Sequence, residues 1–193
     1  MKLMGIDVAD SPISVAEFKR ATAQDFAVDD LFIADQLSAA TEVVEAATNR
    51  PALTREVEFM LDVAEFTTWW FPCAPVIDVD LLSVLDPNGD WQDIPASDYR
   101  LITGHDEPRL QMADNVTWPD RATGSAIRVR ATVGHVPEAV PRRLRQAIIL
   151  LAQDWFRDAR NSGEDPKEGG ARLNFGVIRL MRQLKYQRPL ICK

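Results

Sequence analysis

Apolar positions near the start of the chain recur at the period of an α-helix. Ser14 followed three residues later by Glu17 forms a capping box, which predicts a short helix over residues 14–21. Asp29 and Asp30 favour the start of a longer helix, where acidic side chains suit the positive end of its dipole. Asn49-Arg50-Pro51 ends it, so we expect a second helix over 29–48. One face recurs at helical spacing: Leu31, Ala34, Leu37, Thr41, Val44 and Ala47.

The pattern changes to a period of two between about residues 54 and 133. Val57, Phe59 and Leu61 alternate with polar neighbours, as expected of half-buried strands. The turn residues of 86–89, DPNG, predict a hairpin. Ile77, Val79 and Leu81 alternate in the same way with Asp78 and Asp80, and further strands are expected over 99–102, 109–112 and 126–133. This part of the chain is predicted to form a small antiparallel β unit.

Helical periodicity returns after Pro137 and Pro141, and predicts a helix over 138–160. Its apolar stripe contains Leu144, Ala147, Ile148, Leu151, Ala152 and Trp155. Ile149 and Leu150 make this stripe wider than one core-facing surface requires. We therefore expect Ile149, Leu150 and Trp155 at a subunit interface.

The C-terminal residues differ from the rest in charge. Residues 161–171 have the composition of an exposed linker, and residues 172–193, called the tail below, carry six basic side chains and no acidic one. Residues 1–171 carry a net charge of −13. We expect the tail to dock on a protein partner, with charge guiding the approach. The predicted docking residues are Arg172, Phe175, Val177, Ile178, Arg179, Met181, Arg182, Leu184, Lys185, Tyr186 and Arg188.

Together these patterns predict an α+β fold: a bundle of three to four helices with an inserted antiparallel β unit and an extended C-terminal tail. The length of 193 residues suits one compact domain of about 1–160 with extensions. The longest wholly aliphatic run has six residues, so no membrane span is expected, and acidic Asp7 and Asp10 argue against a signal peptide. Cys73 and Cys192 give no disulfide framework.

The sequence contains few residues in patterns that indicate catalysis or metal binding. His105 and His135 lie in predicted loops without a partner at metal-binding spacing, and no nucleotide-binding or hydrolase motif occurs. Asp78 and Asp80 are expected on one face of a strand, where a solvated surface is the favoured interpretation over a cation site. The aromatic run 69–71 has acidic neighbours, which favours core packing or a protein interface over base stacking. We expect no catalytic residue, metal or cofactor.

The order of these elements resembles the head-tail connector (adaptor) proteins of long-tailed phages and gene-transfer agents, in the branch of conserved phage hypothetical proteins. The resemblance runs from about Ile13 to Phe156. It rests on the order of local motifs: SVAEFK, AATNRPAL, WWFPCAPV, DPNG, SDYRL, Trp118-Pro119, Gly134-His135-Val136-Pro137, the Leu-Arg-x-Ala-Ile-x-Leu-Leu pattern of 144–151, and Trp155-Phe156. The tail matches relatives only loosely.

The resemblance implies a structural protein, not an enzyme. About twelve copies would form a ring beneath the portal protein at the head-tail interface of a virion or phage-like particle. The ring would extend the DNA channel and let DNA pass without specific binding. It would bind a stopper or tail-terminator protein, and the tail would bind the portal. Two alternatives stay open: a hydrolase that uses acidic residues, and a nucleic-acid-binding module that uses the basic tail.

Overall fold

The helices and strands separate into two units, each of which the chain visits more than once. The structure is a computed structural model that describes residues 2–3, 11–23, 30–61, 65–114, 116–120, 122, 127–161 and 175–189. The helical unit comprises Asp7–Leu53 and Val136–Tyr186. The β unit comprises Met1–Ile6, Thr54–His135 and Gln187–Lys193. The predicted α+β class is confirmed.

Four helices make up the described part of the helical unit: α1 (Val15–Thr22), α2 (Asp30–Thr48), α3 (Arg142–Asn161) and α4 (Phe175–Leu184). The Ser14 side chain caps α1 by accepting a hydrogen bond from the Glu17 backbone N–H. Asn49 follows α2 with a φ of 55°, a left-handed conformation that asparagine tolerates at a helix end. Helix α3 starts later than expected, because Pro137–Ala139 form a 3-10 turn before Pro141.

The buried face of α2 differs from the predicted one. Leu31 is 83% exposed and Ala34 is also exposed, whereas Ile33 and Leu37 are buried. Phe32 packs on the ring of Phe156, with centroids 6.0 Å apart. Phe32 and Ile33 both face the core. Because they set the orientation of the first turn of α2, the side chain of Leu31 faces solvent. The rest of the buried face is Ala40, Thr41, Val44, Glu45 and Thr48.

The described residues of the β unit form two antiparallel sheets. The first has five strands in the order β1 (Lys2–Leu3), β2 (Arg55–Leu61), β8 (Ile127–Val133), β4 (Val76–Leu85) and β5 (Trp91–Asp93). The second has three in the order β3 (Thr68–Trp70), β7 (Arg109–Met112) and β6 (Tyr99–Ile102). The central strand β8 alternates buried and half-buried residues along its whole length, as predicted.

Strand β4 departs from the predicted alternation. Its pairing with β8 shifts register between Val76 and Asp78 and again between Val79 and Leu81, as at β-bulges. Each shift inserts an extra residue and turns the following side chains to the other face. Ile77 is therefore 49% exposed, and the buried apolar residues of this strand are Val76, Leu82 and Val84.

The turn between β4 and β5 has the predicted hairpin chemistry. The Asp86 carboxylate accepts hydrogen bonds from the backbone N–H groups of Asn88, at 2.8 Å, and Asp90, at 2.9 Å. Gly89 has a φ of 93°, which favours glycine. Within the described ranges, no helix has the length and apolar character of a membrane span.

Candidate functional site

Helix α4, which belongs to the predicted docking tail, packs its apolar face on the helical unit. Val177 is 0% exposed and Met181 is 7% exposed, and both join the cluster formed by α1, α2 and α3. Leu184 is half-buried against the same cluster, and Ile178 is half-buried. These tail residues therefore attach the tail to its own chain.

The segment after α4 is held at the end of α2 by three hydrogen bonds. The Tyr186 backbone N–H donates to the Thr48 carbonyl at 2.7 Å, and the Asn49 side-chain amide donates to the Tyr186 carbonyl at 3.1 Å. The Arg50 guanidinium donates to the Leu184 carbonyl at 2.6 Å. Tyr186 itself is only 4% exposed. The described part of the tail is therefore held against the helical unit as far as Tyr186.

The remaining predicted docking residues of the helical unit are exposed. Phe175 is 75% exposed, and Arg179 and Arg182 are exposed on the same side of α4 at helical spacing. Lys185 is exposed too. Arg188 belongs to the β unit, where it is exposed and its guanidinium lies 5.8 Å from the centre of the Trp69 ring. Arg172 lies outside the described residues, as does most of the predicted linker 161–171.

The three residues predicted at a subunit interface lie in the core of the helical unit or at its margin. Ile149 is 8% exposed, and Leu150 and Trp155 are half-buried against the same cluster. Helix α3 contacts α1, α2 and α4, so its wide apolar stripe serves several neighbours within the chain. Leu150 and Trp155 keep part of their surface accessible.

The candidate acidic pair shows no sign of a cation site. Asp78 accepts a hydrogen bond from the backbone N–H of Val79, and Asp80 accepts one from the Thr132 hydroxyl at 3.1 Å. In the part of the chain that the structure describes, no group of three or more His, Cys, Asp or Glu side chains could hold a metal ion. His135 is half-buried in the β unit, and the His105 side chain lies outside the description.

The aromatic run and the described cysteine belong to the core of the β unit. Phe71 contacts the rings of Trp69 and Phe59, with centroids 4.6 and 5.7 Å away, and all three side chains are buried. Burial raises the pKa of the Cys73 thiol to about 12. A thiol that stays protonated at neutral pH is a poor nucleophile. The aromatic cluster therefore supports packing, as predicted.

Comparison with solved structures shows what this arrangement is similar to. The protein is similar to a chain of the neck of a native GTA particle, a structure computed with C12 symmetry, with 26% identity, a TM-score of 0.73 and 98% of both chains covered. It shares the fold of a particle neck chain. Chains of the native gene transfer agent (GTA) virion and of the neck of the empty particle, computed with C6 symmetry, match with TM-scores of 0.74 and 0.72, again at 26% identity and 98% coverage of both chains. No protein-family model and no curated protein matches the sequence.

Proposed function

We propose that this protein is a structural head-tail connector that forms a ring in the neck of a phage or gene-transfer-agent particle. The observation that carries the proposal is the likeness to a chain of a C12-symmetric neck, which covers 98% of both chains. A likeness of that extent includes the helical unit, the β unit and the tail. The motif order from Ile13 to Phe156 supports the same assignment independently.

In this proposal the ring contains twelve copies and extends the DNA channel. A cyclic ring needs one surface that binds a second, different surface on the next copy. The net charge of −13 on residues 1–171 suits a passage for DNA, because an acidic surface repels phosphates and does not retain them. DNA then passes without specific binding.

The tail is the proposed contact with the portal protein, and the opposite side of the ring meets the stopper or tail-terminator protein. The exposed side chains Phe175, Arg179, Arg182, Lys185 and Arg188 supply the portal contact. Val177, Met181 and Tyr186 keep the tail on its own subunit, so the portal binds a preformed basic surface. Preformed surfaces bind with a smaller loss of conformational entropy.

A structural role suits the chemistry of the described residues better than catalysis. The acidic pair on β4 is solvated, and the Cys73 thiol is buried with a raised pKa. The aromatic rings that could stack on bases fill the core of the β unit.

The test is assembly of the purified full-length chain, alone and with the portal protein of the same particle. We expect particles of about 260 kDa in mass photometry, twelve times the 21.6 kDa of one chain, and twelvefold rings in negative-stain images. Arg179→Glu with Arg182→Glu should weaken portal binding and leave the fold intact, while the control Glu107→Arg, at an exposed loop position of the β unit, should not. A chain that stays monomeric both alone and with the portal would exclude the connector role.

A further inference from the structure

The outer side of α2 is acidic and partly apolar. Helix α2 has four acidic residues and no basic one, and Asp35 and Glu42 lie on its exposed side. Leu31 is 83% exposed and Val43 is 40% exposed along the same side, with exposed Ala39 between them. Within the described ranges neither Asp35 nor Glu42 has an ion-pair partner. We call this surface the acidic stripe.

The outer side of α3 has the opposite charge. Helix α3 contains five arginines and two aspartates, and Arg142, Arg143 and Arg157 are exposed. Arg143 and Arg157 lie seven residues before and after Leu150, so helical geometry places all three on one side. We call this surface the basic stripe. By the same geometry Asp154 lies between Leu150 and Arg157 on this side, and Asp158 lies toward its edge.

Two arginines of α3 lie where the dipole of their own helix is unfavourable for positive charge. Arg142 and Arg143 occupy the first turn of α3, next to the positive end of the helix dipole, and this turn has no acidic residue. Neither has an ion-pair partner among the described residues. An acidic partner at this position would offset the unfavourable interaction.

The two stripes are separate surfaces on two helices of one unit. Helices α2 and α3 bury their apolar sides in one shared cluster and pack against one another. Their exposed sides face away from that cluster. A closed ring of identical subunits joins one surface of each copy to a different surface of the next, and two surfaces of opposite charge suit such a contact.

We propose that the acidic stripe of one copy binds the basic stripe of the next copy. This inference rests on the proposed ring and names the surfaces that build it. Asp35 and Glu42 are seven residues apart, about 10 Å along a helix, and Arg143 and Arg157 are fourteen apart, about 21 Å, so opposite charge and not matched spacing supports this contact. Exposed Leu31 and the accessible part of Leu150 add apolar area, and the small Ala39 lets the helices approach.

Charge reversal on each stripe tests the interface in the full-length chain. The α2 variant carries Asp35→Arg and Glu42→Arg, and the α3 variant carries Arg143→Glu and Arg157→Glu. All four side chains are exposed, so each variant should keep its fold, which circular dichroism and thermal unfolding would verify. In each variant alone the two stripes carry the same sign of charge. We expect each to need at least about tenfold more protein than the wild type to assemble.

An equimolar mixture of the two variants is the decisive sample. In the mixture every contact again joins opposite charges, so we expect rings of alternating variants, detected by sedimentation velocity and negative-stain imaging. A single chain with all four substitutions should assemble too, and the control Glu107→Arg should behave as the wild type.

Several results would overturn the interface. Assembly of both single-stripe variants at wild-type concentrations would leave the ring intact and refute these surfaces. Failure of the mixture to assemble would refute charge pairing between the stripes. If the α3 variant assembled normally and lost salt-dependent binding to duplex DNA, the basic stripe would be a nucleic-acid surface instead. A wild type that never assembles, alone or on the portal, would refute the proposed ring itself.

Discussion

Helix α4 is attached to the helical unit by a small apolar face, so one substitution should loosen it measurably. We consider Met181→Ala, because Met181 is 7% exposed and packs in the helical cluster with Val177. Truncating a buried methionine to alanine costs about 2–5 kcal/mol. Met181 lies in a helix of only ten residues at the margin of the core, so we take the lower end, about 2 kcal/mol.

The cost should appear as local opening of α4. A change of about 2 kcal/mol raises the open population of the helix roughly 30-fold, since each 1.4 kcal/mol is a factor of ten. Hydrogen-deuterium exchange followed by mass spectrometry would then show about 30-fold faster exchange in peptides of residues 175–184, with little change in α2. The matched control is Arg182→Ala, one residue further along and exposed.

Two results would refute this reasoning. Unchanged protection of α4 in the Met181→Ala protein would mean that the buried face does not hold the helix. An equal increase in α2, α3 and α4 would mean that α4 opens only when the whole helical unit unfolds. Either result would contradict a local attachment of α4 through Val177 and Met181.

Two further predictions concern the β unit. Phe71→Ala should lower the free energy of unfolding by about 3–5 kcal/mol in urea titrations, because Phe71 is fully buried between Trp69 and Phe59, whereas Phe175→Ala, at a residue 75% exposed, should change it by less than about 0.5 kcal/mol. Equal effects of the two would contradict the burial described. The hydrogen bond from the Asp90 backbone N–H, with further ones from Asn88 and Gln92, lowers the pKa of Asp86 below its ordinary 3.8. The charged form therefore stabilises the fold above about pH 4, and this stabilisation is lost as the pH falls through the lowered pKa. Asp86→Asn should reduce the melting temperature at pH 7, and this reduction should become smaller as the pH falls below about 4; a reduction of the same size at every pH would show that the charge of Asp86 is not involved.

Local patterns predicted much of the fold because they encode local geometry. The Ser14 capping box gave the start of α1 to within a residue, and the residues of 86–89 gave the hairpin. The alternation of β8 matched its burial because β8 is central and pairs with β2 and β4 along its whole length. In the first two cases a neighbouring residue supplies the constraint.

Features that depend on distant residues were not predictable in the same way. The bulges of β4 are set by its pairing with β8, about 50 residues away, so the sequence of β4 alone suggested an unbroken alternation. Leu31 was assigned to the buried face of α2 because its spacing allows that, and the contact of Phe32 with Phe156 decides otherwise. The separate sheet formed by β3, β7 and β6 likewise depends on pairings between distant segments.

In the tail, too, neighbouring residues predicted the helix, and residues elsewhere in the chain determine what the helix packs against. Its amphipathic spacing predicted helix α4 and an apolar face, whereas the surface that this face covers depends on α3 and on α2, which is distant in sequence. The opposite charges of α2 and α3 were visible in the sequence. Which side chains of these helices stay exposed depends on the cluster that the two helices share.

The points where the chain enters and leaves the long β segment are neighbours. The Thr54 backbone N–H donates to the His135 carbonyl at 3.0 Å, so about eighty residues begin and end one hydrogen bond apart. A segment with adjoining ends can be exchanged, lengthened or shortened while the helices on either side keep their connection. A designer could therefore graft a different domain between Leu53 and Val136, and would then have to provide a new partner for strand β1, which pairs with β2.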